Sequence, residues 1–292
     1  MSRRTETIEH GPPGSRLLLP FALARKAVAD AWLQLLVSAV VLVLFAWVFV
    51  WLMSLLTIGK WGDLLNLLPN FVQPLLGVPL KDLATTTGRL TFLYVHLVTL
   101  LVVISWAVGR GSDVISGGIA KGTLELVLTL PVRRATVVLM PAAVLAVGCV
   151  TLAFSVWIGS WIGVMAIGFR AEISMREFLP GVVNLAALTF CLGGMTTLVS
   201  SFDRDRWRTI WLTGGIFVLA SIVKLVSRLW SKGEWLKYLS FLSAFEPQQL
   251  ILARIDRWRL TWEFSGTLIS LGLLCYLAAM VVFARRDIPV PR

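Results

Sequence analysis

Between Arg134 and Arg170 the chain runs 35 residues without a charged side chain, and from Ala31 to Gly59 it runs another 29. A helix needs about 20 apolar residues to cross the hydrocarbon core of a bilayer, and core helices of soluble domains are shorter. These runs predict helices that span a membrane. The composition agrees, with 57% hydrophobic and 15% charged residues against about 25% charged in a soluble domain. Once several spans are placed, no connection is long enough to fold as an independent enzyme, so any catalytic partner is expected to be a separate chain.

Charge-free stretches place six spans, at 31–58, 90–109, 136–161, 178–202, 209–230 and 264–283. Ahead of the first, Arg16 to Ala24 is a short apolar run that Arg25 and Lys26 follow. It predicts an interfacial amphipathic helix leading into an uncleaved span. The long third run exceeds one crossing, so its span is expected to end near Trp157 and Trp161, with Gly159, Gly163 and Gly168 bending the chain along the surface. The fifth span has a clean stretch only from Thr209 to Val223, and crossing requires Lys224 and Arg228 to snorkel toward headgroups. The expected fold is all-α and integral to the membrane, one transmembrane domain over 1–292.

The excess of 27 Lys and Arg over 16 Asp and Glu, a formal +11, reads as membrane topology and contact with anionic lipids rather than nucleic-acid binding. The first tail, the second and fourth connections and the last tail carry 15 of the 27 basic residues; the other connections carry 10 over longer segments. The denser side predicts both termini in the cytoplasm, in a bacterial inner (cell) membrane. Cys149, Cys191 and Cys275 all lie in apolar stretches and match neither a metal spacing nor a disulfide framework.

Ion-coupled carriers place carboxylates near the bilayer midplane, and the interiors of the six spans hold no Asp or Glu. His96 is the one titratable group well inside the bilayer, and its expected role is to hydrogen-bond between helices. The sequence contains no His-Glu-x-x-His, Gly-x-Ser-x-Gly or phosphate-loop motif. The chain is therefore expected not to be an enzyme and to bind no cofactor or metal directly.

The connection from Arg110 to Arg134 differs from the others. From Thr123, Leu124, Val127 and Leu128 recur at helical spacing while Lys121, Glu125 and Thr129 take another face; Pro131 stops the helix and Arg133-Arg134 meets the membrane. The run Lys121-Gly-Thr-Leu-Glu-Leu-Val-Leu-Thr-Leu-Pro-Val-Arg-Arg134 resembles the signature of the type-2 family of ATP-binding-cassette export permeases. The likeness extends over nearly the whole chain, through the basic N-terminal segment, six spans, a long segment after the fifth and the Phe-Ala-Arg-Arg-Asp-Ile ending at 283–288. Where family members often carry an acidic residue shortly before Lys-Gly-Thr, this chain has Gly117-Gly118-Ile119.

The resemblance implies a pathway built by two permease subunits, a homodimer or a pair with a close paralogue, each docked on a cytoplasmic ATPase through which ATP acts. It implies a coupling helix between spans two and three, carried here by Lys121, Gly122, Thr123, Leu124, Glu125, Leu128, Pro131, Arg133 and Arg134. It also implies short helices in 231–262 that partly re-enter the bilayer, a location that Trp235, Trp258 and Trp262 suit. The alternative is a membrane scaffold or assembly factor of the same fold that moves no solute. The scarcity of polar side chains in the spans leans toward an amphiphilic cargo, with His96, Asn184 and the Ser and Thr residues as the candidates for a polar route.

Overall fold

A computed structural model describes residues 15–56, 58–69, 72–124, 129, 133–167 and 173–286, which are mainly helical with no strand among them. The elements are α1 (Ser15–Leu55), α2 (Ile58–Asn66), α3 (Thr86–Val95), α4 (Leu97–Ser112), α5 (Arg134–Ile167), α6 (Leu179–Phe202), α7 (Arg206–Leu229), α8 (Pro247–Leu252) and α9 (Arg257–Arg285). Six helical segments are long and apolar enough to cross a membrane: Phe21–Leu55, Thr86–Ala120, Arg134–Ile167, Met175–Phe202, Arg206–Leu229 and Arg257–Arg285.

At 1.5 Å per residue α1 is about 60 Å long, twice the hydrocarbon thickness. It runs unbroken from Ser15, so the described part of the stretch ahead of the first span is the opening turns of the same helix. At the other end, buried Arg89 donates from Nη1 to the carbonyls of Met53 (2.9 Å) and Leu56 (2.7 Å). A cation there satisfies the last carbonyls of α1 and opposes its dipole.

The third span does not end at Trp161. α5 continues to Ile167, because Gly159 and Gly163, one turn apart, face α1 rather than a bend. A Cβ on Gly159 would lie 2.4 Å from the Val43 carbonyl oxygen, and one on Gly163 2.8 Å from the Val50 Cβ. This is the small-xxx-small contact that lets two helices in lipid approach closely. α6, the most buried span, packs along α9 in the same way: a Cβ on Gly194 would meet the Gly272 carbonyl oxygen at 2.6 Å.

Two further boundaries differ from expectation. α9 starts at Arg257 rather than 264, because its charged first turns find partners at the surface, Arg259 with Glu263 (3.2 Å) and Arg257 with Glu177 (3.8 Å). Trp258 and Trp262 thus belong to this span helix, exposed on its surface. The second span is longer and broken. His96 is extended (φ −64°, ψ 141°) between α3 and α4. Its Nδ1 accepts the Val98 N–H (3.2 Å), Thr99 Oγ1 donates to the Leu93 carbonyl (2.8 Å), and the imidazole lies against Phe45, ring centroids 4.9 Å apart. His96 therefore caps a helix within its own span, where a hydrogen bond to another helix was expected; freed backbone groups inside a bilayer have to be satisfied locally.

Long-range hydrogen bonds sort the connections into two ends. Arg134 Nη1 donates to the carbonyl of Arg286 (2.6 Å), Arg286 Nη1 to those of Ser201 (2.8 Å) and Asp203 (3.0 Å), and Arg110 Nη1 to that of Asp30 (3.3 Å). Burial and nearby Arg204 lower Arg286 from its ordinary range while Asp203 opposes them, and a guanidinium stays charged under such shifts. The start of α5, the end of α9, the α6–α7 turn and the exit of α4 thus share a basic end. The opposite end holds Arg89, α2, α8 and the segment between α7 and α9.

Candidate functional site

At the basic end α4 runs into a π-helical turn, Asp113–Gly117. An i to i+5 turn inserts a residue and frees a backbone donor, and such bulges are frequent at functional sites. Here the Ser116 N–H donates to Ser200 Oγ (2.8 Å), Ser200 Oγ lies 3.0 Å from Ser116 Oγ, and Thr209 Oγ1 lies 3.1 Å from Ser116 Oγ. Ser112, Ser116, Ser200 and Thr209 are all completely buried. This dry hydroxyl chain ties the turn to α6 and α7, so displacement of the turn would be felt by both helices.

On the other side of the turn Asp113 meets three cations. Its Oδ1 is 3.0 Å from Lys121 Nζ and 3.3 Å from Arg206 Nη1, and its Oδ2 is 3.7 Å from Arg110 Nη1. Gly117 permits this fold-back, since a Cβ there would sit 2.5 Å from Asp113 Oδ1. The acidic group near Lys121 is thus supplied from eight residues upstream, although Gly117-Gly118-Ile119 occupy the positions just before it. Arg206 also donates from Nε to Ser112 Oγ (3.4 Å) and joins the ionic cluster to the hydroxyl chain.

Lys121 is exposed beyond its bond to Asp113, and Gly122 has a left-handed φ of +66° that turns the chain. A Cβ on Gly122 would touch nothing within 4 Å, so backbone conformation, not space, requires glycine here. Thr123 Oγ1 donates to the Gly118 carbonyl (3.3 Å), and Leu124 is buried in a small cluster with Val114, Ile115, Val137, Val138 and Phe283. Arg134 is held on α9 as described, and Arg133 is exposed. Glu125, Leu128 and Pro131 lie outside the described residues. Of the predicted set, the structure brings together Lys121, Thr123 and Leu124, against Asp113 and the start of α5.

Between this turn, the opening turns of α1 and the start of α5 lies an open cleft of about 430 Å³, with Lys26 and Asp30 from α1, Lys121 and Asp113 from the turn, and Pro141 from α5 on its walls. Its lining mixes these charged groups with apolar ones, Leu23, Ala27, Val114 and Leu124 among them. Among the described residues no group of three or more His, Cys, Asp or Glu is arranged to hold a metal ion.

The candidates for a polar route are otherwise engaged. Thr189, Thr196 and Thr197 on α6 donate to carbonyls one turn back, at 2.7–2.8 Å. Asn184 pins the segment between α7 and α9, donating from Nδ2 to the Ala244 carbonyl (2.9 Å) and accepting the Glu246 N–H at Oδ1 (3.0 Å).

Sequence reasoning missed the group that Asn184 holds. Lys224 and Arg228 are paired within the chain: both meet Glu246, with Lys224 Nζ at 2.9 Å and Arg228 Nη2 in direct contact. Lys224 also donates to the Phe245 carbonyl (2.7 Å), and Arg228 Nη1 to that of Leu75. The signal was present: Glu246 is the one acidic residue between Glu234 and Asp256, set between Phe245 and Pro247.

Set beside known proteins, the sequence matches no family model and no curated protein.

Proposed function

We propose that this chain is the membrane-spanning subunit of an ATP-driven exporter of the type-2 ATP-binding-cassette kind. ATP is hydrolysed by a separate cytoplasmic ATPase, and a second permease subunit completes the pathway. The observation that carries this reading is the placement of the Lys121-Gly122-Thr123 run. It projects at the basic end on a turn fastened by Asp113 and is wired through Ser116, Ser200 and Thr209 to α6 and α7.

On this reading the basic end faces the cytoplasm of a bacterial cell. Residues 121–134 form the coupling helix, in which Glu125, Leu128 and Pro131 complete the surface that Lys121 and Thr123 begin. The amphipathic opening turns of α1, which contribute Lys26 and Asp30 to the cleft, dock on the same ATPase. Closure of the ATPase dimer pushes the turn, and the hydroxyl chain passes that push to α6 and α7. The alternative, a scaffold of the same fold, draws on the back-bonded threonines of α6, which among the described residues give no polar route inside one subunit.

Two measurements test the proposal. In a variant lacking Cys149, Cys191 and Cys275, Gly62→Cys and Lys232→Cys should react with an impermeant thiol reagent added outside cells. Lys232 is exposed, and a side chain at Gly62 would meet nothing within 4 Å, whereas one at Gly233 would strike the Trp230 ring. Labelling only after the membrane is opened reverses the orientation. The purified chain should hydrolyse no ATP until reconstituted with its ATPase, and Gly122→Pro with Glu125→Arg should abolish transport while the protein stays inserted. Transport by that variant removes the coupling role, and ATPase coupling without transport of any solute favours the scaffold.

A further inference from the structure

At the opposite end, α7, α9 and the segment between them enclose a pocket of about 840 Å³, the size of sites that hold small organic ligands. Its charge does not balance. Lys224, Arg228 and Lys237 stand on the walls against Glu234 and Glu246, which leaves one positive charge in excess. Two of these cations are mostly buried and share the single carboxylate of Glu246. A charge held out of water without a full partner is costly, and an anion beside it recovers that cost. The wall also carries Ser243, whose Oγ is buried with no hydrogen-bond partner among the described residues.

The wall that α9 supplies is mainly apolar and has a direction. Phe264 and Leu271, both partly exposed, follow one another along one face of α9 over buried Leu268, covering about 10 Å of depth below the cations. Lys224 lies five residues inside the end of α7, about 8 Å from it. Leu229 and Thr267, both on the pocket wall and both exposed, place its mouth on the surface that α7 and α9 present to lipid. A polar ligand would leave this apolar strip uncovered, and a neutral lipid would leave the excess charge.

We infer that this pocket binds an anionic amphiphile, its phosphate or carboxylate head on Lys224, Arg228 and Lys237 and its acyl chain along Phe264 and Leu271. The Ser243 hydroxyl supplies a donor to the head. The site draws on no ATPase and stands whether or not the chain is an exporter.

The full-length chain, purified in a neutral maltoside detergent, is titrated with palmitoyl-lysophosphatidic acid and followed by native mass spectrometry and thermal melting. Palmitoyl-lysophosphatidylcholine tests the charge, and glycerol 3-phosphate the head without a chain. One lysophosphatidic acid should bind per chain and raise Tm, with the zwitterionic lipid at least about tenfold weaker, the value of one charge-assisted hydrogen bond. Glycerol 3-phosphate should show no comparable binding; equal binding would mean a free-anion site and overturn the inference. Lys224→Gln should weaken binding by about tenfold, and Glu246→Gln, which leaves the cations without their carboxylate, should strengthen it. Those two positions also hold the structure together, so exposed Lys237→Gln and Thr267→Trp serve as independent variants. The first should weaken the anionic lipid selectively, and the second should block the acyl strip without changing Tm in the absence of lipid. Equal affinity for both lipids, or binding indifferent to Lys237→Gln and Thr267→Trp, would also overturn it.

Discussion

Asp113 and Glu246 stand at opposite ends of the bundle, each shared by more than one cation, and they are built to different tolerances. The Asp113 side chain is 19% exposed, with Lys121 at 56% and Arg206 at 36%. Glu246 is 12% exposed, and its partners Lys224 and Arg228 are 18% and 23%. Around Glu246 each cation also donates to a backbone carbonyl, and Asn184 receives the Glu246 N–H. Around Asp113, Lys121 reaches in from water, while Arg110, 13% exposed, and Arg206 also donate to backbone carbonyls, those of Asp30 and Gly109. α7, the least buried span, carries cations to both clusters, Arg206 at its start and Lys224 with Arg228 near its end. The difference teaches that the opposite end leaves no cation open to water, whereas at the basic end Lys121 is a latch that can let go while Arg110 and Arg206 stay on Asp113.

The sharpest way to break this comparison is to remove Glu246. Glu246→Gln keeps the shape but leaves two desolvated cations uncompensated, and the expected loss is about 3–5 kcal/mol. Thermal unfolding in detergent measures it. Restoring the balance by adding Lys224→Met should recover a large part of the loss, so the double variant is less destabilised than the sum of the single ones. Additive losses would show that Glu246 acts alone and that the end is not anchored by its ion pairs.

A smaller effect is expected where the basic end is fastened rather than latched. Thr209→Val removes the hydroxyl that bridges Ser116 and the Asp205 carbonyl while nearly preserving volume. In so dry a cluster the cost should be about 1–2 kcal/mol. An unchanged Tm would mean that the hydroxyl chain does not bind the π turn to α7.

The two clusters also differ in how far they could be read from sequence. Six spans were legible because charge-free runs of this length have no other stable setting. Their ends were not, since the first turns of α9 carry Arg257, Arg259 and Glu263, which count against a span in one dimension and pair at the surface in three. Gly159 and Gly163 read as a bend, although four-residue spacing is also the signature of close helix contact. His96 breaks a helix with no proline or glycine nearby, a conformation set by the capping bond to Val98. At the candidate site Lys121 and Leu124 were legible through a local motif and local periodicity. Asp113 and Glu246 were not chosen, because a carboxylate's meaning depends on which distant cations the fold brings to it.

Salt should separate the clusters further. Asp113→Asn removes the charge from a cluster whose outer cations, Lys121 and Arg206, are 56% and 36% exposed, and its cost at low ionic strength should not exceed about 1 kcal/mol. Raising the salt from about 0.1 M to about 1 M shortens the Debye length from about 10 Å to about 3 Å. The difference in Tm between Asp113→Asn and the parent should then close, while the Glu246→Gln difference persists. If both differences close together, the contrast in burial has no energetic counterpart.

The smallest effect on stability belongs to Lys121, and it is the one that separates a latch from ornament. Its ammonium lies 3.0 Å from Asp113 but is more than half exposed, so Lys121→Gln should change stability by no more than about 0.5 kcal/mol, as for an ordinary surface substitution. Arg206 and Arg110 remain on Asp113, so the turn keeps its fold. What changes is the hold between the exposed start of the proposed coupling run and the π turn, because the one direct side-chain link between residue 121 and Asp113 is lost. If a push on that run reaches α6 and α7 through the turn, Lys121→Gln should lower transport per ATP hydrolysed with Tm unmoved. Charge-preserving Lys121→Arg should restore it. A variant that keeps both stability and coupling would mean that the ion pair only decorates the surface, and the stroke would have to enter through Leu124 and its buried cluster instead.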